Sequence, residues 1–237
     1  MIRPRRVALR RLATRLAVPV LGLALSACVS LLPKTKPDQL YSFGHGVEAA
    51  PAASAAPGPG AVGVLLGAVT FPRAATGDGI LSVTGTQSAY LAQSRWVAPA
   101  AVLFREAVER SFGRQAKSVR LITRGETGRV GLVLRVDVRD FAVLYPNGPE
   151  SIPTVAVSLR TRLDRADGQP VDEKSFDVRT PASENRVGPI IAAFDQATAE
   201  ALTGVVAWTD QAAAAAGPAA TVRPAVVSTT TTVQPAR

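Results

Sequence analysis

Alternating apolar residues between positions 130 and 145 constrain the fold more than any other feature of this chain. Every second residue from Val130 to Val138 is Val or Leu, and after Asp140 the apolar positions continue in the opposite phase through Phe141 and Val143. Alternation with a period of two predicts a β-strand with one buried face. The change of phase predicts a β-bulge near Asp140.

Two turn signals after this strand predict antiparallel partners for it. Asn147-Gly148 and Asp167-Gly168 each supply residues that tolerate a positive φ. Apolar residues alternate between the two turns, and a shorter strand around Phe176 follows the second one, so we expect a three-stranded meander. Its polar face carries Arg135, Arg139, Arg160, Arg162 and Arg179, with Asp137 and Asp177 among them. Such a row favours cross-strand ion pairs on a solvated face over an anion site.

Two amphipathic helices are predicted to cover the sheet. In residues 96–112 apolar side chains recur at spacings of three and four, with Ser94 as a candidate cap and with Trp96 and Phe104 on the apolar stripe. That stripe favours core packing of both aromatic residues over a lipid-binding face. The second helix is predicted at residues 189–216, before Gly217-Pro218. The fold class is therefore α+β, with a mixed or antiparallel sheet, a long hairpin meander and two covering helices.

The start of the chain has the pattern of a secretory signal. Six arginines precede an uncharged apolar run at residues 16–25, and small residues lead to Cys28, the only cysteine. The sequence Leu25-Ser26-Ala27-Cys28 resembles a bacterial lipobox, in which the cysteine is acylated and becomes the new amino terminus. A membrane-spanning anchor is disfavoured because the run is about half of the roughly 20 residues needed to cross a bilayer. Plain secretion would leave a single free thiol in an oxidising compartment.

The positive charge of the chain belongs mostly to this predicted signal. The sequence has 27 basic and 18 acidic residues, and six of the basic ones precede Cys28, which leaves 21 against 18, or +3. A nucleic-acid partner is therefore not expected. We predict a cleaved signal at residues 1–27, a lipidated tether with a short strand and an Ala/Pro/Gly-rich loop at 28–61, the α+β domain at 62–216, and a disordered tail at 217–237.

Motifs for catalysis are sparse in this sequence. His45 is the only histidine and lies in a glycine-flanked stretch without neighbouring metal-type ligands. The pair Asp172-Glu173 sits beside a turn, where solvated charge is the usual role, and the chain contains neither a P-loop nor a Gly-x-Ser-x-Gly elbow. The glycines at 58, 60 and 63 match a dinucleotide fingerprint only in spacing, because they precede a strand instead of following one. We expect no enzyme, no metal and no cofactor other than the covalent lipid.

The order of these elements resembles the ABC-type transport auxiliary lipoprotein family, which includes the paraquat-inducible protein C type. The resemblance covers residues 38–215 and rests on the lipobox, the apolar strand ending at Phe71-Pro72, the residues Tyr90, Arg95 and Trp96, the meander and the closing helix. It implies no catalytic residue. It implies a structural role for Tyr90, Arg95 and Trp96, with Trp96 as a core anchor and Arg95 as its hydrogen-bonding neighbour.

The resemblance also implies a set of partners and a location. Members accompany an ABC permease, its ATPase and a mammalian-cell-entry (MCE) domain protein in systems that move lipids or other hydrophobic compounds across the envelope. We therefore expect a periplasm-facing lipoprotein held by Cys28, able to bind these subunits or further copies of itself. Position 29, just after the cysteine, is Val and not Asp, and by resemblance to enterobacterial sorting rules this favours the outer membrane over retention at the inner one. The alternative is a lipoprotein that assists assembly of an outer-membrane or surface complex without a transported substrate.

Overall fold

The fold is built around one long strand that pairs along both of its edges. The computed structural model describes residues 36–45, 60–123, 126 and 128–216. The strands are β1 (Gln39–Tyr41), β2 (Val62–Thr70), β3 (Gly79–Thr84), β4 (Gln87–Trp96), β5 (Val119–Ile122), β6 (Leu132–Leu144), β7 (Thr154–Arg165) and β8 (Pro170–Pro181). The helices are α1 (Ala100–Gln115) and α2 (Val187–Ala216). The predicted signal, most of the tether and the predicted tail lie outside the described residues.

Strand β6 organises the sheet. One edge of β6 pairs antiparallel with β7 along its whole length, and β7 pairs antiparallel with β8. The other edge is shared, because β2 pairs parallel with β6 at residues 132–137 and β3 pairs parallel with it at Val143 and Leu144. Beyond β2 lies β5, and beyond β3 lie β4 and then β1. The eight strands form one mixed sheet, which confirms the predicted α+β class.

The bulge predicted in β6 is confirmed, and it explains the change of phase in the sequence. The pairing register with β7 shifts between Val138 and Asp140. Leu134 and Val136 before the bulge and Phe141 and Val143 after it are all buried, so both halves of β6 point apolar side chains to the same face. The two turn predictions are confirmed as well, since Gly148 has φ 92° and Gly168 has φ 89°. Strand β8, however, spans 12 residues and is not shorter than β7.

Both helices cover one face of the sheet, and an aromatic cluster lies between them and β6. Phe141 has its ring centroid 4.9 Å from Phe43, 4.9 Å from Phe194 on α2 and 6.2 Å from Phe104 on α1. Phe71 and Trp96 complete the cluster at 5.6 Å and 6.2 Å from Phe141. One residue of β6 therefore contacts both helices, so the helices lie on the same face.

Helix α2 is the longer of the two helices, and its residue Asp210 is hydrogen-bonded to the backbone at the start of β5. By length and composition α2 could span a membrane, but half of that stretch is buried inside the domain. The Asp210 carboxylate accepts hydrogen bonds from the backbone N–H groups of Lys117, Ser118 and Val119, at 2.9 to 3.1 Å for the shortest contact of each. It also accepts one from the Ser118 hydroxyl at 2.9 Å. Asp210 thus satisfies the polar groups where the chain leaves α1 and enters β5.

The predicted start of the first helix at residue 96 is wrong. Trp96 is the last residue of β4, and α1 begins at Ala100 with Pro99 at its N-cap and without a side-chain cap, so Ser94 does not cap it. Pro99 disfavours the helical conformation of the residue before it, which is why the helix cannot extend back to Trp96. Trp96 and Phe104 are nevertheless both buried in the core, as expected from the apolar stripe.

Candidate functional site

The residues of the family pattern meet at one corner of the sheet, where β1, β4 and β3 are adjacent. The ring of Trp96 points into the core, 4.9 Å from Phe43 and 5.2 Å from Phe194 between centroids. Tyr90 is exposed and lies over Gly79, since a Cβ at that glycine would come within 2.6 Å of the Tyr90 ring. The Tyr90 hydroxyl donates a hydrogen bond of 3.0 Å to the carbonyl of Ala74.

Arg95 connects the strands at this corner through ion pairs with two carboxylates that are distant from it in the sequence. Its Nε lies 2.6 Å from Asp38, just before β1, and its Nη1 lies 3.1 Å from Asp78, just before β3. These two carboxylates, Asp38 first, raise the pKa of the Arg95 guanidinium. The partners of Arg95 are therefore carboxylates, and the expectation that its side chain would bond to Trp96 is not met. Trp96 is held separately, because its backbone N–H donates to the carbonyl of Asp78 at 2.7 Å.

Strand β4 carries a strained residue at the same corner. Gln93 has φ 54°, and among the described residues it alone of the non-glycine residues has a positive φ. The pairing of β3 with β4 shifts register between Gly79 and Leu81, next to this position. A left-handed residue inside a strand costs about 1–2 kcal/mol, which the surrounding contacts must offset. The sequence gives no local signal for it, because Gln is not a residue that favours positive φ.

The second notable surface is the face of the sheet opposite the helices, where the arginine row lies. We call the surface formed by Arg135, Arg139, Arg160, Arg162, Asp137 and Glu173 the arginine groove. It has a volume of about 310 Å³ and is also lined by Ala68 and Thr70 of β2. Its residues alternate with the buried residues of β6 and β7, so the groove and the helices occupy opposite faces.

Ion pairs hold the side chains of the arginine groove in place. Arg160 Nε lies 2.6 Å from Glu173 across β7 and β8, and the hydrogen bond to Glu173 raises the Arg160 pKa. Arg139 Nε lies 2.7 Å from Asp137, two residues before it on β6. The predicted ion pairs are therefore present, partly across strands and partly along them. Asp177 makes no ion pair within the described part of the chain.

Asp164 is the residue of this region that the sequence did not single out. Its side chain is only 2% exposed, and Arg162 Nε donates to its Oδ1 at 2.7 Å. Arg135 Nη1 lies 3.0 Å from Oδ2 but is not aligned for a hydrogen bond. Two arginines thus share one buried carboxylate. In the alternating pattern of β7 Asp164 falls on the same face as the arginines, so the sequence alone predicts an exposed residue. Only its burial in the structure distinguishes it from them.

The described residues give little support to metal binding or to catalysis by His45 or the Asp172-Glu173 pair. In residues 36–45, 60–123, 126 and 128–216 no group of three His, Cys, Asp or Glu side chains could hold a metal ion. His45 uses its backbone N–H to donate to Asp195 at 2.8 Å. Asp172 accepts a hydrogen bond of 2.7 Å from the indole of Trp208, and Glu173 pairs with Arg160, so the two adjacent carboxylates have separate structural partners. Cys28 lies outside the described residues.

The architecture defines an α+β domain with one helical layer and one open sheet face. The family model for the ABC-type transport auxiliary lipoprotein component matches residues 45–206. The chain belongs to this family, as the sequence resemblance indicated. It is accordingly an auxiliary lipoprotein component of ABC-type transport, a class located in the cell envelope.

Solved structures share the fold at low sequence identity. The chain is similar to protein XCC0632 from Xanthomonas campestris, described with the family-model DUF330, at 22% identity and a TM-score of 0.58, over 76% of this chain and 96% of that one. An uncharacterized protein is similar at 15% identity and a TM-score of 0.55, over 73% and 99% of the two chains. No curated protein matches the chain. These likenesses establish the fold.

Proposed function

We propose that this chain is a non-catalytic, lipid-anchored subunit of an MCE-type ABC transporter that moves lipids or other hydrophobic compounds across the cell envelope. The observation that carries the proposal is the match of residues 45–206 to an auxiliary lipoprotein component of ABC-type transport. The described residues add a body without a metal-ligand cluster, in which two helices cover one face of the sheet and the other face is open. Such a body suits binding to partner subunits better than chemistry on a small substrate.

Cys28 is the anchor in this proposal. An acylated cysteine with several fatty chains gives stable membrane attachment, because each buried methylene contributes about 0.8 kcal/mol. Asp38, where the folded body begins, lies ten positions after Cys28. A chain of that length spans at most about 35 Å, so the body stays close to the membrane that holds the lipid. Tethering raises the effective concentration of the body at membrane partners and makes weak contacts sufficient.

The subunits we expect as partners are an MCE-domain protein, the permease and the ATPase, with binding of further copies of this chain as an additional arrangement. The periplasmic side of the outer membrane is the location favoured by Val29. The Tyr90, Arg95 and Trp96 corner has a structural role in this proposal: it fixes β1, and with it the exit of the tether, against β4 and β3.

Purification from the native envelope tests the proposal. The tagged chain is solubilised in mild detergent, and co-purifying proteins are identified by mass spectrometry beside the Cys28→Ser variant. We expect MCE-domain and ABC subunits with the wild type, and a reduced yield of them with Cys28→Ser. Recovery of outer-membrane assembly factors without any transporter subunit would reject the transport role and support the alternative role in assembly. Intact mass of the same sample reports whether Cys28 carries acyl chains.

A further inference from the structure

The arginine groove carries more positive charge than its two carboxylates and the adjoining buried Asp164 neutralise together. Four arginines, at positions 135, 139, 160 and 162, face three carboxylates, at positions 137, 164 and 173, which leaves one positive charge in excess. The excess is concentrated where Arg135 stands directly opposite Arg162 in the pairing of β6 with β7. Like charges at directly opposite positions are destabilising unless a counter-charge is present, and the single carboxylate of Asp164 serves both.

The ion pairs also leave the ends of three guanidinium groups available. Arg139, Arg160 and Arg162 each contact their carboxylate through Nε. Their Nη atoms donate no hydrogen bond to any residue in the part of the chain that the structure describes. The Nη groups are the part of arginine that binds an oxyanion in a two-pronged way. The carboxylates therefore fix the positions of these side chains and leave their Nη groups able to donate to a ligand.

The surroundings of the groove favour a ligand with several acceptor oxygens. Asp137 is already engaged on its other oxygen, because the Thr70 hydroxyl donates to Oδ1 at 2.6 Å. The side chains of the four arginines are between 47% and 56% exposed, so a ligand reaches them from solvent. The volume of about 310 Å³ lies at the lower end of the range for small-ligand pockets, roughly 300–1,000 Å³.

We propose that the arginine groove binds a phosphate group, supplied either as inorganic phosphate or as the phosphodiester of a lipid headgroup. A phosphate has the negative charge that offsets the excess positive charge, and its oxygens accept from the Nη groups of more than one arginine. The site is independent of the proposed transport role, because it is defined on the isolated domain. A lipid source would place a headgroup on the sheet face opposite the helices.

The test is a titration of the mature chain carrying Cys28→Ser, followed by the Nε–Hε NMR signals of the arginines. Inorganic phosphate is one titrant, short-chain dihexanoylphosphatidylglycerol below its micelle concentration is the second, and sodium chloride of matched ionic strength is the control. The main variant is Arg139→Gln with Arg160→Gln, whose partners Asp137 and Glu173 are more than 40% exposed. Removing these two arginines leaves no buried charge unpaired, whereas removing Arg135 and Arg162 would strand Asp164.

We expect saturable shifts of the groove arginines with at least one phosphate titrant. Binding should be at least about tenfold weaker in the double variant, because the loss of even one charged hydrogen bond lowers affinity by about that factor. Shifts with both titrants show that phosphate itself is sufficient, and shifts with only one identify the source. A matched variant, Lys117→Gln with Arg186→Gln, removes the same charge from exposed positions outside the groove and should bind as the wild type does. Shifts no larger than those with sodium chloride, or equal binding by the groove variant, would overturn the proposal. Thermal unfolding confirms that each variant is folded.

Discussion

Replacing Trp96 with alanine tests the claim that this family-pattern residue acts through the core. Its side chain is 2% exposed and makes edge-to-face contacts with Phe43 and Phe194. Removing a buried tryptophan side chain costs about 3–5 kcal/mol, through lost transfer energy and the remaining cavity. Each lost aromatic pair accounts for about 0.5–1.5 kcal/mol of that sum. We therefore expect Trp96→Ala to lower the free energy of unfolding by about 4 kcal/mol.

Urea denaturation followed by far-UV circular dichroism measures this change. With a denaturant slope of about 2 kcal/mol/M, a loss of about 4 kcal/mol moves the midpoint down by about 2 M. The same experiment on Tyr90→Phe is the control, because that change removes one hydrogen bond from an exposed ring and should cost no more than about 1 kcal/mol. If Trp96→Ala does not fold, Trp96→Phe gives a smaller loss in the same direction.

Trp96→Ala within about 1 kcal/mol of the wild type would refute the reasoning. It would mean that the aromatic cluster around Phe141 repacks without cost, and that the appearance of Trp96 in the family pattern has a reason other than packing. A Tyr90→Phe loss as large as that of Trp96→Ala would contradict the division of the corner into a buried anchor and an exposed ring.

Three further substitutions test local features that affect the stability of the sheet. Asp210→Ala removes the acceptor for three backbone N–H groups and should lower the free energy of unfolding by about 2 kcal/mol in the same urea titration. The control is Glu200→Ala, at an exposed position of the same helix, which should change the free energy of unfolding by less than about 0.5 kcal/mol. Gln93→Gly relieves a positive φ and should raise the thermal midpoint, whereas a lower midpoint would show that the Gln side chain has a role of its own. Gly79→Ala brings a Cβ within 2.6 Å of the Tyr90 ring, so it should destabilise the wild type but not a Tyr90→Ala background, and equal losses in both would contradict the contact.

The local part of the fold could be predicted from the sequence because its signals are periodic. The alternation between 130 and 145, its change of phase and the two glycine turns predicted the meander and the bulge, and both are present. The error at Trp96 came from reading the spacing of Trp96 and Ala100 as one helical stripe. Pro99 separates them into a strand end and a helix start that face the same core.

The non-local part could not be predicted because no local pattern encodes it. The second edge of β6 is shared by β2 and β3, which are parallel to it and lie more than 50 residues earlier. Arg95 finds its carboxylates 57 and 17 residues away. In the arginine groove the row of charges was visible in the sequence, but the burial of Asp164, and the free Nη groups that follow from the use of Nε, depend on the depth and orientation of side chains.

Photo-crosslinking in intact cells tests the central claim most directly, because it captures partners in the native envelope. A photoreactive residue is placed singly at Val102 on α1, at Ile152 between β6 and β7, and at Gln196 on α2, three exposed positions on different parts of the domain. The account predicts that at least one position forms an adduct with a permease or MCE-domain subunit, and that Cys28→Ser reduces its yield. Adducts that contain only outer-membrane assembly factors, at all three positions, would contradict a role as a transport subunit.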